Sequence, residues 1–88
     1  AFMELAPDWA CEVLSPSTQK LDRADKMQVY LREQVRHVWL IDPIEQILEV
    51  YRHGGDAWIR AAIHHGAGKV RVEPFDAVEL DLADLWSE

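Results

Sequence analysis

The sequence predicts a single mixed α/β (α+β) domain: a strand, a helix, then a meander of strands closed by a short helical turn. Three observations carry that prediction. A short apolar run at residues 9–14 gives way to helical spacing, residues 38–41 form an unbroken apolar run, and glycine-rich turn signals stand at residues 53–56 and 66–68.

Trp9-Ala10-Cys11-Glu12-Val13-Leu14 lies between Pro7-Asp8 and Ser15-Pro16-Ser17, and it is too short for a helix, so it reads as a strand. From about Thr18 to Gln34, apolar or small residues at Leu21, Ala24, Met27 or Gln28, and Leu31, with Tyr30 beside them, follow the helical repeat. Ser17 or Thr18 can cap the helix start. Val38-Trp39-Leu40-Ile41 ends at Asp42-Pro43 and reads as a central strand covered on both faces. Ile47-Leu48-Glu49-Val50-Tyr51 gives the next strand, and His53-Gly54-Gly55-Asp56 is a hairpin turn into a strand at residues 58–63. Gly66-Ala67-Gly68 turns into a short strand from Lys69 to Val72, and a helical turn follows near Leu82 to Trp86. No repeat, low-complexity segment or internal linker interrupts residues 1–88.

With 49% hydrophobic and 28% charged residues the composition is that of a globular chain, and a domain of 88 residues has little stability margin. No apolar run approaches the roughly 20 residues that cross a bilayer, and no signal segment opens the chain, so the expected location is the cytoplasm, without a membrane. The single cysteine, Cys11, is expected to be a buried, inert thiol. A net charge of −7 argues at first against nucleic acid. However, Glu73, Asp76, Glu79, Asp81, Asp84 and Glu88 lie in a terminal stretch without Lys or Arg, which leaves ten acids against nine bases elsewhere. Between Ser17 and Arg36 the bases Lys20, Arg23, Lys26, Arg32 and Arg36 outnumber Asp22, Asp25 and Glu33, so a locally basic helix is expected.

Glu12 is the residue that asks for an explanation. An ionised carboxylate in an apolar strand is costly unless it is paired, hydrogen-bonded or bound to a metal. The plainer alternative is a partly exposed strand face, or a neutralising Lys or Arg. Strand alternation puts Asp8, Ala10, Glu12 and Leu14 on one face, but Asp8 lies roughly 13 Å from Glu12 along a regular strand, too far to share an ion with it. Asp8 therefore reads as a strand-entry residue, and with Leu14 two positions after Glu12, any lysine in the site must come from another element.

The run from Pro7 through Glu12 to Thr18, followed by Asp22, Lys26 and Tyr30 and by Val38-Trp39-Leu40-Ile41-Asp42-Pro43, closely resembles the Uma-two family of the PD-(D/E)XK restriction-endonuclease-like superfamily. The resemblance runs on through Glu79-Leu80-Asp81-Leu82-Ala83-Asp84-Leu85-Trp86. It implies a restriction-endonuclease-like core and a metal-dependent endonuclease, a hydrolase that cleaves DNA phosphodiesters with Mg²⁺ or Mn²⁺. Carried over by position, Glu12 corresponds to the second acidic metal ligand and Lys26 to a lysine moved from the strand to the following helix. Asp22, one turn before Lys26, is a lesser candidate that an i,i+4 surface ion pair would also explain. Family members also have an upstream half carrying the first metal-binding aspartate, and this sequence matches the C-terminal half. The core is therefore expected to be incomplete, and the chain by itself inactive. Gln34 stands before Val35 where the family usually has glycine, which bears on the helix end rather than on chemistry.

The competing reading is a non-catalytic remnant whose open sheet edge recruits a partner, a homo-oligomer or the missing half. A zinc site from His53, His64 and His65 is disfavoured, because adjacent strand histidines face opposite ways and no cysteine pair accompanies them. Trp9, Trp39, Trp58 and Trp86 are expected in the core rather than stacked on bases.

Overall fold

The computed structural model describes residues 8–14 and 19–87, with the side chains of residues 19–22 left out. Ser17 and Thr18, the expected helix caps, lie outside the described residues. The elements are β1 (Trp9–Val13), α1 (Gln19–Arg32), β2 (His37–Asp42), β3 (Ile47–His53), β4 (Trp58–His65), β5 (Lys69–Val70), β6 (Leu80–Asp81) and α2 (Ala83–Trp86). Strands β1 to β4 form one sheet in sequence order. β1 runs parallel to β2 through the α1 crossover, and β2, β3 and β4 are antiparallel neighbours.

β2 is interior to the sheet, as its unbroken apolar run predicts, and Val38, Trp39, Leu40 and Ile41 are all buried. Its alternation divides the core. On the face covered by α1, Val35, Val38 and Leu40 pack with Ala10, Leu14, Met27, Tyr30, Tyr51 and Trp58. On the opposite face, Trp39, Ile41, Leu48, Val50, Val72 and Leu82 form the larger cluster, sealed by Trp9 and Trp86. Each fully buried Leu or Val contributes on the order of 1.5–3 kcal/mol, which is how a short chain holds a sheet together. The tryptophans belong to this scaffold: the indole N–H groups of Trp39, Trp58 and Trp86 donate to the backbone carbonyls of Glu73, Met27 and Gly66.

Turn chemistry places the strand ends. Asp42 Oδ1 accepts from the N–H groups of Ile44 and Glu45, closing the turn after β2. In the β3–β4 hairpin, the Gly54 N–H bonds to the Ala57 carbonyl, and a Cβ at Gly54 would lie 2.8 Å from that oxygen. Between β3 and β4 the register slips so that Tyr51 opposes Arg60 and Val50 opposes Ala62. Ala61 is the extra residue of this bulge, and both Ala61 and Ala62 pack on the larger cluster.

Four expectations change. The strand after Gly66-Ala67-Gly68 does not extend the meander: β5 leaves the main sheet and pairs antiparallel with β6, a strand that sequence reading left unassigned. The inward face of α1 is set by Arg23, Met27 and Tyr30, while Ala24 and Gln28 are exposed, because carboxylates on the sheet pull the helix round toward its cations. Cys11 is exposed rather than buried, since among the described residues β1 has a partner on one side and the face carrying Cys11 is only partly covered. Finally, α1 is not a free basic surface, since Arg23 and Lys26 turn inward to acids.

Candidate active site

Alternation along β1 turns Ala10, Glu12 and Leu14 toward α1. Glu12 is opposite Leu40 in the parallel register, its side chain 20% exposed. On α1, positions 23, 26, 27 and 30 fall on one face by the helical repeat, so the helix delivers Lys26 and Tyr30 to the same carboxylate from successive turns. Lys26 Nζ donates to Glu12 Oε1 at 2.8 Å, and the Tyr30 hydroxyl donates to Glu12 Oε2.

The electrostatics follow from that geometry. Burial favours protonation of Glu12, but the hydrogen bonds from Lys26 and Tyr30, reinforced by the Lys26 charge, outweigh it and hold the carboxyl below the usual glutamate range. Tyr30 responds in the opposite sense: burial, then its hydrogen bond to Glu12 and the Glu12 charge, push its hydroxyl up to about 12. At neutral pH the site is therefore a carboxylate held by an ammonium and a neutral phenol.

A second cluster stands beside it. Leu40, the partner of Glu12, is opposite Glu49 on β3, so both glutamates share the α1 face with one strand between them. Arg23 donates to Glu49 and, at 3.1 Å, to the Tyr51 hydroxyl, which itself donates to Glu49. Thus α1 is clamped at two points, each a carboxylate with a helix cation and a tyrosine. The two backbones stand two strand spacings apart, about 10 Å, and each carboxylate is engaged by its own helix cation and tyrosine.

Sequence reading paired Glu12 with Lys26, and the structure brings them together. It quoted Tyr30 in the motif without a role; the clue was its position four residues after Lys26, on the same helix face. Glu49 and Arg23 were missed, because nothing in a strand's sequence reveals which residue two strands away shares its face. Asp8 lies at the entry to β1, 86% exposed and 3.8 Å from Arg36, away from Glu12. The side chain of Asp22 falls outside the described ones. His53 uses both ring nitrogens locally, with Nε2 at the Leu31 carbonyl and Nδ1 accepting from the Gly55 N–H, while His64 and His65 are opposite Leu48 and Ile47 on β3. Among the described residues, no three of His, Cys, Asp and Glu converge in a way that could hold a metal. No described helix is long and apolar enough to cross a membrane.

Residues 1–83 match the Uma2 family, described as "Putative restriction endonuclease". Among solved structures, the chain is similar to a protein from Anabaena variabilis described as a putative nuclease belonging to DUF820, with 30% identity and a TM-score of 0.67. That match covers 93% of this chain and 45% of the other, so the chain spans less than half the length of the structure it resembles. No curated protein matches it. The order of strand, crossover helix and antiparallel strands is thus the fold of the matched part of that structure. By its sequence match over residues 1–83, the chain belongs to the Uma2 family.

Proposed function

We propose that this chain forms part of a metal-dependent DNA endonuclease site, with Glu12 as a metal ligand and Lys26 as the cation beside it. The observation that carries the reading is the meeting of an ionised carboxylate, an ammonium and a neutral tyrosine on the α1 face of β1, in a member of this family.

The donor chemistry fits a hard divalent cation in part. A carboxylate has about four lone-pair positions, and Lys26 and Tyr30 use two of those on Glu12, so Glu12 can still bind Mg²⁺ or Mn²⁺. The remaining ligands would be water, substrate phosphate and a carboxylate from outside the described residues. Such a cation, when bound, polarises the phosphate and lowers the pKa of bound water. The chain's own residues do the rest. Lys26 orients the attacking water or stabilises negative charge as it develops on the phosphate. Tyr30 keeps its proton and fixes the Glu12 rotamer, so the carboxylate is held in place before substrate arrives.

The described residues bring one carboxylate, Glu12, to this position, so these 88 residues by themselves are expected to cleave negligibly. The test is supercoiled plasmid incubated with purified protein, as these 88 residues and at the full length of the family, in Mg²⁺ or Mn²⁺ across a range of salt. The full-length protein is expected to cut, with Lys26→Ala reducing the rate by about a hundredfold or more and Glu12→Ala abolishing it. DNA left uncut by the full-length protein under every condition would sink the reading. A second reading, a non-catalytic module that pairs through its sheet, is favoured by one observation: β1 has a partner on one side alone among the described residues.

A further inference from the structure

Helix α1 brings both donors of the Glu12 site, and little apolar contact holds it in place. From Arg23 to Arg32 none of its side chains is buried: Met27 and Tyr30 lie partly buried on the cluster beneath, and Val29 is 42% exposed. Apolar attraction is non-directional, so such contacts do not fix the rotation of the helix. Nor does the pair at Glu12. The Lys26 side chain is 50% exposed, and what a solvated ion pair gains is offset by the rotamer freedom that the lysine loses. Lys26 therefore follows the helix rather than placing it. Tyr30 adds a directed bond, but to the same carboxylate, and anchoring at one point leaves the helix free to pivot.

We propose that Glu49 is a positioning residue of the candidate site: through Arg23 and Tyr51 it fixes α1 over the sheet so that Lys26 and Tyr30 meet Glu12. The role rests on the nuclease reading for its consequence in cleavage, and on the contacts alone for the placement of Lys26. Glu49 lies across Leu40 from Glu12, its side chain 13% exposed. Its Oε1 accepts from Arg23 Nη2 and from the Tyr51 hydroxyl, and the same Nη2 donates to the Tyr51 oxygen. These three groups close a triangle that is less exposed than the Lys26 pair, and charge-assisted bonds of this kind are the stronger ones. Arg23 precedes Lys26 by three residues, about 4.5 Å along the helix axis. Anchors on β1 and β3, about 10 Å apart across the sheet and offset along the helix, set both its rotation and its direction. The Trp58 indole of β4, bonded to the Met27 carbonyl, holds the backbone on the Glu49 side. In a nuclease site this placement matters, because an error of about 1 Å in a charge-stabilising group costs about a hundredfold in rate.

The experiment is NMR of the 88-residue chain, reading the scalar coupling across the hydrogen bond from Lys26 Nζ to the Glu12 carboxyl carbon, with the backbone amide spectrum as a check of the fold. The parent should show the coupling, and Arg23→Ala and Glu49→Leu should lose it while the amide signals of β2 to β4 stay in place. Arg23→Lys should keep it, because a single nitrogen makes both Arg23 contacts and an ammonium can do the same. Leu48→Ala, which loosens the cluster on the opposite face, should keep it as well, so that general weakening is told apart from lost position. Should Arg23→Ala fail to fold, Tyr51→Phe carries the test: it removes the hydroxyl shared by both charges, keeps the ring, and should weaken the coupling. A parent without the coupling, variants of Arg23, Glu49 and Tyr51 that retain it in full, or an equal loss in Leu48→Ala overturns the positioning role. In the full-length protein, Arg23→Ala should slow plasmid cleavage by about ten- to a hundredfold, and Arg23→Lys should leave it near the parent rate. A full-length protein that never cuts, beside the expected NMR result, overturns the nuclease reading and leaves the positioning standing, so the two failures are distinct.

Discussion

Glu12 is where side-chain chemistry can be tested without any activity. Its folded carboxyl titrates below the ordinary range because Lys26 and Tyr30 bind the charged form more strongly than burial opposes it. The stability it contributes is therefore present above the unfolded glutamate pKa of about 4.3 and is lost as pH falls through the lower folded value. Replacing Tyr30 with Phe removes one donor and leaves the ring, so the Glu12 carboxyl should move back up toward the usual glutamate range. Carboxyl-carbon NMR titration reads this directly, and an unchanged Glu12 titration would mean that Tyr30 merely packs. The loss in stability should be about 1–2 kcal/mol, the scale of a partly buried hydrogen bond to a charged group. Cys11, though exposed as a residue, behaves as the opposite case, since partial desolvation of its sulfur and the nearby Glu12 charge push its thiol up. At neutral pH it is therefore a slow nucleophile.

The end of α1 shows how an element's geometry reaches the site. The Val35 N–H bonds to the Tyr30 carbonyl and the Gln34 N–H to that of Leu31, the two bonds of a Schellman end, with Val35 buried against Tyr30. Gln34 takes the left-handed conformation this ending needs, at φ 63°. A side chain there costs about 1 kcal/mol that glycine avoids, and glycine is what the family resemblance sets at this position. Gln34→Gly should therefore raise the melting temperature by roughly 4–8 °C and leave the Glu12 titration unchanged, as scanning calorimetry and NMR would show. A drop in melting temperature would mean that the Gln34 side chain makes a contact worth more than the strain. Much of this element was legible: the helix and its approximate limits follow from local rules, and the family resemblance marked Gln34 at its end. Its inward face was not, because the apolar stripe through Ala24 and Met27 competes with Arg23 and Lys26 for the sheet, and the carboxylates that decide the matter lie on β1 and β3.

At the scale of the molecule, the central strand, the hairpins and the α+β order follow from apolar runs and turn residues, which act over a few positions. The β5–β6 pairing spans a loop whose partners are two residues each, too short for a periodic signal, and it escaped the sequence for that reason. The site was half legible in the same sense, since Glu12 and Lys26 are motif residues while Glu49 joins them through strand register. What the whole fold adds is dependence on a small core. Leu48 is fully buried on β3 within the cluster of Trp39, Val50, Val72 and Leu82, whereas Ile44, in the neighbouring turn, is 65% exposed. Total stability for a chain of this length is on the order of 4–13 kcal/mol, and truncating a buried leucine costs about 2–5 kcal/mol. Leu48→Ala should thus lower the urea midpoint by roughly 2 M, while Ile44→Ala should stay within about 0.5 kcal/mol of the parent. If Leu48→Ala and Ile44→Ala were equally mild, the sheet would not be closed by the cluster that α2 and Val72 complete, and the face opposite α1 would have to be held by something other than its own side chains.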